Sequence, residues 1–446
     1  MISKSKLFKL SSAACIIALL STAYAKSEPC FPYIPAPLDE STMVAPAKTL
    51  NPNPKTYILP ATPATSQWGV FNSAQAPVLT INAGDTVVVE TMAASDNQVV
   101  PGTTIQQVID MKNAAPERGP HTVTGPIFIN GAEPGDVLQI HFNKIVPRPY
   151  ASNDSVPGKG LFPELTPNGQ IKYFYLDVKN KSMQFAPGIV VPLAPFPGVI
   201  AVARAEPGIY DSIPPGRFGG NMDLREMVEG TTLYLPVFMK GALLWTGDSH
   251  AGQGNGEIDL TAIETAFEEF NITVDVIKQE QPLTWPRVET PTAWISVGYD
   301  KDLNTAFDIV REETIKLIIE KRHVSRVEAE KVMYSSWNCP IAEVVNGVQG
   351  IYYVLPKKPG TPAFPLPNAD NAESFVTVAK DADLEQAMKK ASMAMINKVS
   401  KTKSMTVVDA YVLASLTMDC RIATYYGSGD KEVHCMTAKN LWVNSK

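Results

Sequence analysis

Residues 76–90 read APVLTINAGDTVVVE, a run rich in β-branched side chains that is interrupted by the pair Gly84-Asp85. Residues 125–142 repeat this design as GPIFINGAEPGDVLQIHF, with Gly135-Asp136 ahead of the second apolar run. Glycine accepts a positive φ and aspartate caps its own backbone, so each pair predicts a turn that opens a strand. Similar short apolar runs between glycines and prolines extend from about residue 30 to residue 290 and predict mainly β structure. Within them, residues 150–220 are rich in Pro, Gly and Asn and predict long functional loops.

The pattern becomes helical after Pro286. Residues 302–321, DLNTAFDIVREETIKLIIEK, carry an apolar stripe at helical spacing, and a second helix is predicted to begin at the Ser325 cap. Shifting ISVGYDKDLNTAF (295–307) by 81 positions gives VTVAKDADLEQAM (376–388), which indicates a duplicated unit of strand, long helix, capped helix and strand.

The expected fold is therefore mainly β, of the β-sandwich or barrel type, with C-terminal α/β (α+β) units in a multi-domain chain. Its predicted parts are a signal peptide (1–25), a β-rich region (26–290), an α/β unit (291–357), a Pro-rich linker (358–371) and a second copy of the α/β unit (372–446).

The first 25 residues have the pattern of a secretory signal peptide. Three lysines precede a short apolar run, and Ala23-Tyr24-Ala25 provides a small-residue cleavage site. The mature chain is expected to be secreted or periplasmic, with no membrane span after cleavage because no later apolar run reaches about 18 residues. Its formal net charge would move from −6 to −9, which argues against nucleic acid as a partner.

Four cysteines would remain after cleavage, in a compartment that permits disulfides. Two bridges among them allow three pairings. If the duplicated units pack pseudo-symmetrically, equivalent cysteines come together, so Cys339–Cys420 is the first expectation. Two buried free thiols at these positions are the alternative. The four residues are Cys30, Cys339, Cys420 and Cys435.

The segment GDSHAGQGNGEI (247–258) is the strongest candidate for chemistry. Residues i and i+2 of a strand share a face, so Asp248 and His250 can reach one point as metal ligands or as an acid/base pair. The glycines that follow can turn the chain and bring Glu257 back to that point. A solvated surface turn is the alternative. A serine triad through Ser249 is disfavoured, because strand alternation turns Ser249 away from its neighbours.

Two further segments carry candidate residues. His121 precedes an apolar strand in RGPHTVTGP (118–126). In GRFGGNMDLRE (216–226), the glycine pair allows Asn221 and Asp223 to approach a ligand closely, where an amide could polarise a carbonyl oxygen. Taken singly, each segment is better explained as an ordinary loop, and His141 fits a structural role within a strand.

Together these segments resemble the acetamidase/formamidase family, in the same order, over about residues 55–357. The resemblance is carried by ATPATSQWGVF (61–71), PVLTINAGDTVVVET (77–91), HTVTGPIFINGAEPGDVLQI (121–140), FAPGIVVPLAPFPGVIAVA (185–203), SIPPGRFGGNMD (212–223), LPVFMKGALLWTGDSHAGQGNGEID (235–259) and WPRVETPTAWISVGYDKDL (285–303).

The resemblance implies hydrolysis of the carbon–nitrogen bond of a small linear amide such as formamide or acetamide, by a metal-activated water, to a carboxylate and ammonia. It also implies a homo-oligomer, a divalent metal with zinc as the expected ion, and completion of the family fold by residues 291–357. Carried over by position, the metal ligands are His121, Asp248 and His250, the catalytic residues are Glu257, Asp248 and Asn221, and the substrate-binding residues are Asn221, Asp223 and Gly220.

Three positions depart from the pattern that the resemblance implies. Gln67 stands where a histidine is expected before Trp-Gly, and Asn255 stands where a carboxylate is expected. After Thr91 a polar run with Asp or His is replaced by MAASDNQ (92–98). These departures leave two alternatives open: an exported, catalytically silent binding protein, or an amidase for a larger amide.

Overall fold

The structure is a computed structural model that describes residues 51–278, 282–425 and 429–443. The predicted signal peptide and Cys30 lie outside these ranges. No helix in the described ranges is both long enough and apolar enough to cross a membrane.

Strands dominate the regular structure of the first two thirds of the described chain, as predicted. The strands are β1 (Thr56–Leu59), β2 (Ser66–Trp68), β3 (Val70–Asn72), β4 (Leu79–Asn82), β5 (Asp85–Val89), β6 (Thr122–Asn130), β7 (Val137–Pro147), β8 (Tyr150–Ser155), β9 (Gln170–Asp177), β10 (Ser182–Ala186), β11 (Ile189–Pro192), β12 (Phe196–Ala201), β13 (Ile209–Asp211), β14 (Gly219–Asn221), β15 (Thr232–Pro236), β16 (Leu244–His250), β17 (Glu264–Thr265), β18 (Phe267–Ile277), β19 (Arg287–Glu289), β20 (Ala293–Asp300), β21 (Gln349–Pro356), β22 (Ser374–Asp381), β23 (Asp419–Thr424) and β24 (Lys431–Ala438).

Helices are concentrated in the last third of the chain, also as predicted. They are α1 (Ala94–Asn97), α2 (Ile105–Ala114), α3 (Leu303–Arg322), α4 (Arg326–Ser335), α5 (Leu384–Lys403) and α6 (Val407–Thr417).

Two large sheets form the β part of the molecule. One has eight strands in the order β1-β5-β18-β7-β15-β19-β20-β21, and the other has eleven, with the path β11-β10-β9-β8-β17-β16-β12-β14 and β6 joining β16, β2 and β4. Alternate side chains such as Val87 and Val89 of β5 are buried, while those between them are half-buried. Residues of both sheets share one apolar core that includes Phe270, Ile200 and Trp245, so the prediction of a mainly β chain with C-terminal α/β units is confirmed.

The two glycine-aspartate pairs form the turns that their sequence predicts. Gly84 and Gly135 have φ of +86° and +95°, which are costly for any residue with a Cβ. The carboxylate of Asp85 accepts hydrogen bonds from the backbone N–H groups of Asn82 at 2.9 Å and Lys55 at 2.8 Å. The chain therefore reverses at Gly84 and enters β5 at once.

One expectation about loops is wrong, and one helix was not predicted. Residues 150–220 contain seven strands, β8 to β14, because short runs such as IKYFYL in β9 pair edge to edge although glycines and prolines bound them. In the segment after Thr91 the chain forms α2, which the sequence analysis missed. A capping box between Thr104 and Gln107 begins this helix, and its T-x-x-Q spacing was the signal available.

The two C-terminal units correspond element by element. The bounds of β22 and α5 lie 81 residues beyond those of β20 and α3, the same shift that aligns the sequences. Pro340 pairs in antiparallel fashion with its equivalent Arg421. The Ile341 N–H donates to the Cys420 carbonyl at 3.0 Å and the Ile422 N–H to the Cys339 carbonyl at 2.9 Å, so the contact has local two-fold symmetry. The domain boundaries themselves stay a prediction.

This symmetry shows why the expected Cys339–Cys420 bridge is wrong. In an antiparallel pair centred on Pro340 and Arg421, each cysteine faces Ile422 or Ile341 across the pair rather than the equivalent cysteine. Cys420 instead lies directly opposite Cys435 in the β23–β24 pair and forms a disulfide with it. Cys339 is a buried free thiol, as the alternative proposed for that position.

Charged side chains are buried where the second C-terminal unit meets the β part. The guanidinium of Arg421 donates two hydrogen bonds of 2.9 Å to the Asp419 carboxylate, and Arg225 Nη2 lies 3.3 Å from the same carboxylate. Tyr352 donates a 2.6 Å hydrogen bond to Glu226, which neighbours Arg225. Burial opposes ionisation of Asp419, but the two guanidinium groups outweigh it and lower the pKa of this carboxyl.

Substituting Asp419 by alanine is expected to lower the free energy of unfolding by about 3–5 kcal/mol, because two buried guanidinium groups lose their carboxylate. Urea denaturation of the purified full chain measures the change. The control is Glu373→Ala, an exposed carboxylate in the same C-terminal unit, with an expected change within about 0.5 kcal/mol. Equal midpoints for the two variants would contradict this account of the buried charges.

Candidate active site

Strand β16 carries the central pair of the site. His250 Nε2 lies 3.2 Å from Asp248 Oδ2, so the prediction that these two side chains reach one point is confirmed. The Ser249 hydroxyl is directed elsewhere and hydrogen-bonds to the Thr91 hydroxyl at 2.6 Å. A serine triad with its two neighbours is therefore not formed by this strand.

Three acidic residues of the site, which come from separate segments of the chain, have left-handed backbone conformations. Asp223, Asp248 and Glu257 have φ of +44°, +49° and +49°. Such conformations cost about 1–3 kcal/mol each in non-glycine residues and persist only where the surrounding structure enforces them. Their concentration on three facing carboxylates is typical of a functional site rather than of a surface turn.

These side chains form two overlapping groups around His250. The ligand atoms of Asp223, Asp248 and His250 lie within 4.8 Å of one another, and so do those of His250, Glu257 and Glu264. The return of Glu257 to the Asp248–His250 pair was predicted from the glycines between them. Glu264 was missed because it joins the group only through the sheet, as the cross-strand partner of His250 on β17.

Gly198 leaves the space into which the group points. A Cβ at this position would lie 2.5 Å from Asp248 Oδ2, 2.7 Å from His250 Cε1 and 2.8 Å from Asp223 Oδ1. Every other residue type would therefore fill the space between these three side chains. No feature of the sequence around Gly198 indicated this role.

His121 lies beside the group rather than within either set. Its Nδ1 is 3.0 Å from the Ser212 hydroxyl, and its Nε2 is 3.8 Å from Asp248 Oδ2. Ser212 thus orients the ring so that the other nitrogen faces the Asp248 carboxylate. The predicted ligand role of His121 stays a prediction.

The carboxyl groups of the site differ in their pKa values. Burial, together with the nearby Asp248 carboxylate, raises the pKa of Asp223 to about 7. Burial and the Asp223 carboxylate raise the pKa of Glu257 well above its usual range. Burial also opposes ionisation of Asp248, but the imidazoles of His121 and His250 outweigh it and lower the pKa of Asp248 to about 2. The site therefore contains one firmly ionised carboxylate and two carboxyls able to hold a proton.

The unsatisfied atoms of the site fit a divalent cation. Neither ring nitrogen of His250 has a hydrogen-bond partner among the described residues, and Nε2 instead lies in ion-pair contact with Asp248 at 3.2 Å and Glu264 at 3.3 Å. Asp223 Oδ1 is also buried without a partner among the described residues. Buried imidazole and carboxylate atoms that face one another without hydrogen bonds are the ligands that divalent metals bind. These side chains could therefore hold a metal ion.

A cavity of about 260 Å³ opens beside the group. Asn221, Asp248, Glu257 and Glu264 line its polar end together with His121. Asn221 Oδ1 is buried there without a hydrogen-bond partner in the described chain.

Two predicted substrate-binding residues, Gly220 and Asp223, are not among the described residues that line the cavity. Asp223 Oδ2 accepts a 2.6 Å hydrogen bond from Asn346, a pocket residue that the sequence analysis missed. Asn346 therefore orients a carboxylate that lies behind the cavity wall.

The loop that carries Glu257 is fixed by the second C-terminal unit. The Gly254 N–H donates to the Ser415 carbonyl at 2.8 Å, and the Asn255 N–H donates to the Met418 carbonyl at 2.6 Å. A Cβ on Gly254 would lie 2.7 Å from three backbone atoms at the end of α6. Helix α6 can approach the loop this closely only because residue 254 is glycine.

The two single-residue departures noted in the sequence have structural partners away from the cavity. The Gln67 carboxamide accepts the Asn72 N–H at 2.8 Å and donates to Gln75 Oε1 at 2.8 Å. Asn255 donates its amide to the Ile341 carbonyl and to the Tyr352 hydroxyl, and a carboxylate could not donate to that carbonyl. Both side chains are therefore hydrogen-bonded to partners outside the described lining of the cavity.

Solved acetamidases share this fold. The acetamidase of Yersinia enterocolitica superposes with a TM-score of 0.61 at 28% identity, over 68% of this chain and 92% of that one. The acetamidase of Bacillus halodurans gives a TM-score of 0.60 at 25% identity, over 67% of this chain and 97% of the other. In sequence, the acetamidase of Mycolicibacterium smegmatis is 24% identical over 278 residues, which cover 49% of this chain and 67% of that protein.

The fold is thus that of an amidohydrolase of the acetamidase type. The sequence pattern of the Acetamidase/Formamidase family matches residues 70–210 and 208–425. The chain belongs to the Acetamidase/Formamidase family.

Proposed function

We propose that this protein hydrolyses a primary amide to a carboxylate and ammonia in the pocket formed by Asn221, Asp248 and Glu257. The observation that carries the proposal is the convergence of three strained carboxylates on His250, whose ring nitrogens have no hydrogen-bond partner among the described residues. Several buried carboxyls with shifted pKa values around one imidazole, beside a cavity, are typical of a functional site.

His250 and Asp248, with Asp223 or His121 completing the set, would hold the divalent metal, and we propose zinc. A bound ion of this kind supplies Lewis-acid chemistry, lowering the pKa of water and polarising a carbonyl oxygen. Imidazole with carboxylate oxygen is a ligand combination that zinc accepts. The Ser212 hydroxyl would keep His121 turned toward Asp248, as it does in the structure.

Glu257 is the proposed proton carrier. It lines the pocket, and burial beside Asp223 raises its pKa, so it can take a proton from the attacking water and give it to the leaving amine. The α6 contacts at Gly254 and Asn255 hold the loop that presents it. Asp223 lies behind it and is held by Asn346.

Asn221 is the proposed amide-binding residue. A carboxamide side chain offers one donor and one acceptor edge, which match the carbonyl oxygen and the N–H of a primary amide. Its unpartnered Oδ1 can accept the substrate N–H, while its amide group donates to the oxygen that becomes negative during attack. This arrangement favours unsubstituted amides over esters.

Export and self-association are further parts of the proposal. The pattern of residues 1–25 supports secretion or a periplasmic location, and the resemblance to the family supports a homo-oligomer. The fate of the N-terminal residues is checked by N-terminal sequencing of the protein recovered from the expressing cells, and the subunit number by analytical ultracentrifugation.

The direct test measures ammonia release from formamide, acetamide and longer primary amides by the purified chain. Turnover that Asp248→Asn abolishes, with the fold intact by circular dichroism, would support the amidase. Absence of turnover with zinc, manganese, iron or cobalt supplied would favour the rival proposal, a silent binding protein. The structural partners found for Gln67 and Asn255 argue against that rival.

A further inference from the structure

The cavity at the active site is larger than a formamide or an acetamide. Its volume is about 260 Å³, many times the roughly 10–15 Å³ that a cavity needs to hold one water. Acetamide has only four non-hydrogen atoms. A two-carbon amide bound at Asn221 and Glu257 would therefore leave more than half of the cavity to water.

Part of the cavity is lined by apolar side chains. Its wall includes Ala93, Ala94, Val99, Val108, Val156 and Leu260. The three valines form a small buried cluster against which Ala94 and Leu260 pack. Water cannot form hydrogen bonds with these side chains. Each substrate methylene that replaces water there stabilises the complex by about 0.8 kcal/mol.

Part of this wall comes from the segment in which the sequence departs from its family resemblance. Residues 92–98, MAASDNQ, contribute Ala93, Ala94 and Ser95 to the lining. Ser95 has φ of +54°, and the Ser95 N–H donates a 2.6 Å hydrogen bond to the Pro120 carbonyl next to His121. The left-handed turn thus fixes small apolar side chains where a polar run was expected. Helix α2, which follows at once, adds Val108.

The end of the cavity toward solvent is polar and exposed. The exposed side chains of Lys112, Arg118 and Lys159 line it. The valine cluster, together with Ala94 and Leu260, is the apolar section of the cavity.

We infer that the preferred substrate is a primary amide with an unbranched apolar acyl chain of about four to six carbons, which lies against Val99, Val108 and Val156. This inference rests on the proposed amide hydrolysis and specifies its substrate. The acyl chain displaces water from the apolar section while the carboxamide reaches Asn221 and Glu257.

The test compares kcat/KM for acetamide, butanamide and hexanamide, using the full chain supplied with metal and following ammonia release. Each buried methylene is expected to raise kcat/KM about fourfold, which corresponds to about 0.8 kcal/mol, so hexanamide, with four more methylenes, should exceed acetamide by about 250-fold. Val108→Phe should lower kcat/KM for hexanamide by about 10-fold or more, with a change below about 3-fold for acetamide. A wild type that prefers acetamide would overturn the inference.

Matched variants guard against general effects of substitution. Gln106→Phe places the same ring on the exposed face of α2, outside the cavity, and should change neither substrate. Ala94→Leu narrows the same section from the opposite segment and replaces Val108→Phe if that variant fails to fold. An equal loss on both amides in the Val108 and Ala94 variants would also overturn the inference.

A binding measurement separates this inference from the proposed function. Calorimetric titration with hexanoate and with acetate, the product acids, does not require turnover. In one outcome hexanoate binds more tightly than acetate, and Val108→Phe abolishes that difference, in a protein that releases no ammonia from any amide. This result would support the acyl-binding section and refute the proposed amide hydrolysis. Equal and weak binding of both acids, in an active enzyme, would refute the acyl section alone.

Discussion

Replacing His250 by alanine is expected to remove the bound metal and to reduce amide hydrolysis to the background rate. His250 is the only residue shared by the two candidate ligand groups among the described residues, and its side chain is completely buried. Mutation of a residue that only hydrogen-bonds to a metal ligand lowers metal affinity by about 10–100-fold. Loss of the shared imidazole itself should therefore lower metal affinity by at least about 100-fold. Elemental mass spectrometry should find about one divalent ion per chain in the wild type and a trace in the variant.

The control for this experiment is a second buried histidine. His141 lies on β7 in the other large sheet, with its Nδ1 2.9 Å from the Thr232 hydroxyl. His141→Ala should lose some stability but keep its metal and its activity. If the wild type grown with added zinc carries no metal, or if His250→Ala carries as much as the wild type, the ligand assignment is wrong.

Replacing Glu257 by glutamine is expected to lower kcat by about 10²–10⁴-fold, the usual contribution of a positioned acid/base group. Glutamine keeps the size and the donor–acceptor capacity of the buried side chain but cannot carry the proton. KM should change little, because Asn221 rather than Glu257 is the proposed partner of the amide. Glu117→Gln makes the same chemical change at an exposed position beside the pocket and should leave kcat unaltered.

Metal analysis of the same variant separates two roles for Glu257. Glu257 belongs to the ligand group with His250 and Glu264, so a ligand role is the competing explanation. A variant that is inactive but retains its metal supports the proton-carrier role. Parallel loss of metal and activity would make Glu257 a ligand, and undiminished activity would exclude both roles.

The sequence was informative where chemistry is carried by neighbours along the chain. Asp248 and His250 share a strand, so alternation alone predicted their meeting, and the glycines after them predicted the return of Glu257. The long helices and their duplication followed from periodicity and from one constant shift. In each case the relevant contacts are local or repeat a local pattern.

Contacts between distant strands could not be read in this way. Glu264 reaches His250 only because β17 pairs with β16, and Asn346 reaches Asp223 across 123 residues. Gly198 is important because its missing side chain leaves room for the three site residues. The spacing of residues in the sequence does not indicate this role. The disulfide was mispredicted for the same reason, since the exact centre of the antiparallel pair decides which equivalent residues face each other.

The hydrogen bonds that Gly254 and Asn255 donate to carbonyls at the end of α6 affect the order in which the enzyme can fold. The loop that presents Glu257 leaves the ribosome about 160 residues before the helix that fixes it, and domains generally fold in the order of synthesis. The β part can thus form its core while the loop still lacks its hydrogen-bond partners from residues 415 and 418. The site would then become able to hydrolyse its substrate only after α6 has been synthesised and has folded. A nascent or prematurely released chain would hold a nearly complete pocket with no fixed proton carrier.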